Sequence, residues 1–128
     1  MKLVTLDSSV IIASLLKEDK HHKKAKIIWE KVQKKEVNLI LPATAIIEVG
    51  GAIKRRTNSN KFADEVISQI TGFENINFID INYNRAIETS KLAIQKKLRG
   101  MDAIFVQVSL EFNTELISFD EEMIKKSK

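Results

Sequence analysis

The chain has 128 residues, 44% hydrophobic and 30% charged, a composition that suits one globular domain (residues 1–128) and not a disordered segment. It has no cysteine, which excludes a disulfide scaffold, a thiolate zinc site, an iron–sulfur cluster and a cysteine nucleophile. The net charge of +4, from 21 basic and 17 acidic residues, leans toward a polyanionic partner. The longest apolar run, Val10 to Leu16, is broken by Ser14 and falls far short of the roughly 18 residues that span a bilayer. Asp7 lies where a signal peptide would be apolar. A cytoplasmic protein with no membrane partner is the expectation.

In chain order, Lys2 to Leu6 reads as a short buried strand ended by Asp7. Ser8 or Ser9 then suits the cap of a helix running to Leu16. A basic helix is predicted from His21 to Lys35, with Ala25, Ile28, Trp29 and Val32 on its apolar side. Asn38 to Leu41 is a second strand ended by Pro42, and a helix follows from Ala43 to Arg56. Thr57 to Asn60 is a turn, and Phe62, Ala63, Val66, Ile67 and Ile70 keep helical spacing up to Gly72. Ile76 to Ile81 is a third strand. A fifth helix starts near Tyr83 and closes near Gly100. Asp102 to Phe112 is apolar almost all round, as a buried helix would be. Glu115 to Phe119 is a fourth strand, and a short helix begins at Glu121.

Strands alternating with helices imply an α/β fold with a mainly parallel sheet. In such sheets function collects beyond the carboxyl ends of the strands. Asp7 and Asp120 follow two of those ends, and Asp102 opens the buried helix. Glu48 has only small neighbours one turn away, Thr44, Ala45, Gly51 and Ala52, so it faces a crevice. Gly50-Gly51 within a helix costs about 1 kcal/mol per glycine relative to alanine, which points to a close approach there. Asp102 and Asp120 also suit helix caps, and Glu48 alone suits an exposed helix edge. Taken together, four carboxylates on one sheet edge cannot all stay ionised without a counter-charge: either some protonate or a cation sits among them. Oxygen ligands without cysteine fit a hard ion, Mg2+ or Mn2+, which could activate water and steady a phosphoryl group. Metal-dependent phosphodiester hydrolysis is the resulting expectation.

Leu6-Asp7-Ser8-Ser9-Val10, Ile46-Ile47-Glu48-Val49, Arg99-Gly100-Met101-Asp102-Ala103 and Leu116-Ile117-Ser118-Phe119-Asp120 occur in this order. This ordered set resembles the PIN-domain ribonucleases, and most closely the VapC toxins of toxin–antitoxin pairs. The resemblance covers essentially the whole chain. It implies a three-layer fold whose central, mainly parallel sheet of four or five strands is flanked by helices. It implies that Asp7, Glu48, Asp102 and Asp120 are the metal-binding and catalytic acids. Ser118 would match the Ser/Thr placed two residues before the last acid, and Ser8 would hydrogen-bond a ligand carboxylate or a water. It further implies endonucleolytic action on RNA, a homodimer and a cognate antitoxin. Family members often carry one more strand after the terminal helix, and the residues after Asp120 are too few for a substantial one.

Basic residues gather from Lys17 to Lys35, at Lys54, Arg55 and Arg56, and at Lys96, Lys97 and Arg99. Each cluster suits a solvated helix face. Together they suit RNA, with Lys54, Arg55, Arg56 and Arg99 as candidate contacts. His21-His22 point to different helix faces and read as solvated surface. Trp29 and Phe62 read as core or dimer contacts rather than stacking platforms. There is no P-loop, no Gly-x-Gly-x-x-Gly and no Gly-x-Ser-x-Gly. The alternatives are a non-catalytic RNA- or protein-binding module of the same fold, and a phosphoacceptor domain using Asp7. No lysine is placed at a late strand end to support the latter.

Overall fold

The computed structural model describes residues 2–128. The chain alternates β1 (Lys2–Leu6), α1 (Ser8–Leu15), α2 (His22–Gln33), β2 (Val37–Pro42), α3 (Thr44–Thr57) and α4 (Asn60–Gly72). It continues through β3 (Ile76–Ile79), α5 (Tyr83–Lys96), α6 (Gly100–Phe112), β4 (Glu115–Ile117) and α7 (Glu121–Lys126). The strands form one sheet in the order β3-β2-β1-β4, and every pairing is parallel. No fifth strand occurs among the described residues, so the expected four or five strands resolve to four.

The order of the strands locates the functional edge. From β1 the chain steps outward to β2 and β3, then returns across the sheet to place β4 on the far side of β1. Right-handed crossovers in opposite directions put α1–α4 and α5–α6 on opposite faces. The contacts agree: α1 packs on α2 and α3, α3 packs on α4, and α5 packs on α6. The strand order reverses between β1 and β4, and that gap is where an open parallel sheet offers a crevice.

Leu6, Leu39 and Leu41 on the strands are fully buried, as are Val10, Ile11, Val49, Ile53 and Ile70 from the first helical layer. Phe105 and Val106 of α6 and Met123 of α7 join the same core. Trp29 is a core residue, as its spacing implied, and its ring meets Phe73 edge-on at 5.9 Å. Phe62 is half-buried against the same core. Gly50 marks the close approach expected of the glycine pair: a Cβ there would stand 3.3 Å from Ile67 Cδ1 of α4. Gly51 shows no such packing, since only Arg55 Nη1 of its own helix is nearby.

Several local expectations are corrected. Neither Ser8 nor Ser9 caps α1; both are helical and Asp7 takes the cap position. Gly100 does not close α5, because Lys97 adopts the left-handed conformation and its N–H bonds the Ala93 carbonyl. Gly100 instead opens α6. The third and fourth strands end earlier than expected, at Ile79 and Ile117. The Thr57–Asn60 turn is as read, with Asn58 left-handed and Ser59 capping α4 by accepting from the Phe62 N–H at 3.0 Å. His21 and His22 are half-buried and bonded rather than freely solvated. His21 lies flat on Phe119 with ring centroids 4.4 Å apart, and His22 Nδ1 donates to the Ala13 carbonyl at 2.8 Å.

Candidate functional site

Asp7 sits at the β1–β4 gap, anchored because its N–H extends the sheet by donating to the Ile117 carbonyl at 3.0 Å. Its side chain is only 8% exposed. Two hydroxyls hold it: Ser9 Oγ donates to Oδ2 at 2.8 Å and Ser118 Oγ at 2.9 Å. Ser118 follows β4 directly, and its Oγ also accepts the Asp120 N–H at 3.0 Å. One serine therefore ties the turn after β4 to the acid after β1. Asp120 caps α7, its Oδ1 accepting from the Glu122 and Met123 N–H groups. The cap reading of Asp120 holds, and the role leaves Asp120 at the same edge as Asp7.

Glu48 stands on the second turn of α3, half-buried. Burial pushes its carboxyl up to about 7; the Ser8 hydroxyl opposes this, and the nearby Asp7 and Asp102 charges add smaller upward pushes. Glu48 Oε1 is buried without a hydrogen-bond partner. One turn earlier, Thr44 Oγ1 is in the same condition. Asp102 lies in the first turn of α6. Burial raises its carboxyl too; Arg99 opposes this at 3.4 Å, while Asp7 and Asp120 push it further up.

The structure thus couples Asp7, Glu48, Asp102 and Asp120 electrostatically through Asp7 and Asp102. Among the described residues, however, no group of three or more Asp, Glu or His side chains is gathered tightly enough to hold a metal ion unaided. Mg2+ commonly takes only one or two carboxylates and keeps several waters, so a spread of acids around a crevice suits such an ion. The donor set fits a hard divalent cation in a second way. It is all oxygen, and it includes a buried carboxylate oxygen with nothing to bond.

Asp102 and Asp120 also line a cavity of about 140 Å3 with Lys97, Arg99 and Lys126. On its other side, Asp102 borders a larger groove of about 820 Å3 between α5 and α6, whose walls include Ile81, Ala93, Ile94, Met101 and Ile104. Of the basic candidates, Arg99 is at the site and its side chain is 84% exposed. Arg56 is bound to Asp19 at 2.9 Å. Lys54 and Arg55 lie in the last turn of α3, and Arg55 Nη1 folds back to Gly51. Ser8 is buried beside Glu48. Sequence reasoning missed Ser9 as a holder of Asp7 and His21 as a partner of Phe119. The first is readable as a hydroxyl two residues beyond an aspartate at a helix start, a common local pairing. The second joins residues 98 positions apart and has no local signal.

The family model described as PIN domain matches residues 4–128. No curated relative matches the sequence. Among solved structures, the fold is similar to the Mycobacterium tuberculosis toxin VapC20, described as sarcin-ricin loop cleaving, at TM-score 0.78 and 14% identity over 94% of this chain and 92% of that one. It is also similar to PAE2754 from Pyrobaculum aerophilum at TM-score 0.66 and 16% identity, covering 100% of this chain and 86% of that one.

Proposed function

Because the chain belongs to the PIN domain family, we propose that residues 1–128 form one domain that hydrolyses RNA phosphodiester bonds as a divalent-metal-dependent endoribonuclease. The observation that carries this reading is Asp7. It is a buried acid at the point of strand reversal, held by two serines and coupled by charge to Glu48 and Asp102. Asp7, Glu48, Asp102 and Asp120 would hold Mg2+ or Mn2+, which when bound would supply Lewis-acid stabilisation of phosphoryl charge and favour ionisation of water. The protein's own contribution is positional. Ser9 and Ser118 both engage Oδ2 of Asp7, which leaves Oδ1 free of either serine. Asp120, anchored by its cap bonds, keeps a fixed direction. Arg99 and Lys97, at the cavity shared by Asp102 and Asp120, meet the anionic backbone.

The toxin role, a cognate antitoxin, a homodimer and a cytoplasmic setting belong to the same proposal. VapC20, with the same fold, is a toxin that cleaves the sarcin-ricin loop. The α5–α6 groove leaves Ile94 79% exposed beside an acid of the site, as a surface awaiting a protein partner would. Among the described residues no helix is long and apolar enough to cross a membrane.

The deciding experiment is incubation of a pool of single-stranded and structured RNA with the protein in Mn2+, in Mg2+ and in chelator. Cleavage confined to the two metal conditions is expected. RNA bound but left whole in both would turn the reading to a non-catalytic binding module. Within an active preparation, Ser118→Ala should lower the cleavage rate about 10-fold, the loss of one charge-assisted hydrogen bond of roughly 1.4 kcal/mol. Ser118→Thr, which keeps the hydroxyl, should restore most of it. Equal rates for Ser118→Ala and the parent would show that Ser118 does not position Asp7.

A further inference from the structure

Where α1 gives way to α2, a pocket of about 510 Å3 is lined by Lys17, Lys20, Lys23, Lys24, His21 and Asp19. The lysines are all exposed and none of them is engaged by an acid across the pocket. Asp19 is already spent: its Oδ1 accepts the His21 N–H at 2.9 Å and its Oδ2 pairs with Arg56 at 2.9 Å. Glu18 is an exposed neighbour outside the lining. Four cations therefore face one concavity whose single lining acid is neutralised. The positive end of α2 adds to the field, although the His22 N–H is taken by the Asp19 carbonyl at 3.0 Å.

The position of this pocket gives it meaning. His21 forms part of its wall and lies flat on Phe119, with the two ring planes 19° apart. Phe119 stands between Ser118, which holds Asp7, and Asp120. The stack thus joins the basic pocket directly to the carboxylate edge. The salt bridge from Asp19 to Arg56 fixes the same loop to the end of α3, the helix that carries Glu48.

We propose that this pocket is the docking site for the RNA backbone next to the scissile bond, with Lys17, Lys20, Lys23 and Lys24 on consecutive phosphates and the His21–Phe119 stack as the floor between pocket and crevice. The proposal rests on the nuclease reading for its direction but not for its binding surface. A repeating polyanion suits four mobile point charges around an open concavity. It also assigns the contact to a different basic cluster from Lys54, Arg55 and Arg56, since Arg56 here serves to hold the loop.

The test measures binding of a fluorescent twelve-nucleotide oligouridylate in chelator, across a salt series, so that no cleavage is needed. The variant Lys20→Ala/Lys23→Ala/Lys24→Ala is compared with Lys26→Ala/Lys31→Ala/Lys34→Ala, which removes the same charge from α2 and its C-cap outside the pocket. All six side chains are exposed, and thermal melts check that both variants fold. The pocket variant should lower the slope of log affinity against log salt by about 2, at roughly 0.7 per lost phosphate contact. The other variant should leave the slope near its parent value. Equal losses in both variants, or an unchanged slope in the pocket variant, would overturn the proposal. If slopes behave as expected but no metal condition yields cleavage, the binding surface stands and the nuclease reading fails. If cleavage is normal and the slopes are unchanged, the reverse holds.

Discussion

Asp7→Asn is expected to lower metal-dependent RNA cleavage by about 1,000-fold or more, the scale of several kcal/mol of lost transition-state stabilisation. It should do so without unfolding the chain. The substitution is isosteric, and an asparagine oxygen still accepts from Ser9 and Ser118. Asp7 occupies the cap position of α1 but makes no side-chain cap bond, so no helix end is orphaned. The backbone bond from its N–H to Ile117 is retained. Removing its charge also relieves the repulsion felt by Glu48 and Asp102. In the absence of metal the variant should therefore match or slightly exceed the parent in stability, within about 1 kcal/mol. The check is a pair of measurements on one preparation: initial cleavage rates in Mn2+ and a thermal melt in chelator. A rate within a few-fold of the parent would remove Asp7 from the site. A large rate loss with a collapsed melt would assign Asp7 to structure instead.

How far the sequence foretold this site depends on the range of the interaction. Asp7 was legible because a hydrophobic run that stops at an acid has a strand's length and a strand end's composition. Glu48 was legible because helical spacing names its neighbours, and all were small. The Thr57–Asn60 turn was legible because turn chemistry acts over three or four residues. Helix ends were less so. Gly100 looked like a terminator, yet Lys97 adopts the left-handed conformation earlier, a cost small enough for tertiary packing to override. The order β3-β2-β1-β4 is not written in any local pattern, and only that order brings Ser118 and Asp120 beside Asp7. The basic clusters were visible as charge, but not which of them adjoined the acids. Asp19 decides that by taking Arg56, and His21 by stacking on Phe119, both contacts between distant segments.

Mn2+ at about 100 times its dissociation constant should stabilise the fold by roughly 2.7 kcal/mol, or roughly 10 °C in Tm for a chain of this size. That gain should grow with pH. Without metal, burial and then the Asp7 and Asp102 charges lift Glu48 from its ordinary 4.5 to about 7. Asp102 is shifted in the same direction, with burial again the first cause. An acid with a raised folded pKa holds its proton more tightly in the folded chain. Its contribution to stability is complete below about pH 4.5 and is lost as pH rises through about 7. The metal-free protein should therefore lose stability between those limits, by about 1–2 kcal/mol once the partial solvent access of Glu48 is allowed for. A bound cation reverses the balance, because it favours the ionised carboxylates that otherwise repel. At low pH it must displace the Glu48 proton, and above about pH 7 it need not. The stabilisation by Mn2+ should accordingly be small at pH 5.5 and close to its full value at pH 8. Glu48→Gln should flatten the metal-free slope and weaken the response to Mn2+ together, since one side chain carries both. Melts from pH 5 to 8 in chelator and in Mn2+ test this. A metal-free Tm that holds or rises across that range would show that Glu48 is ionised without help. A Tm indifferent to Mn2+ at pH 8 would leave the four acids without the ion their mutual repulsion calls for.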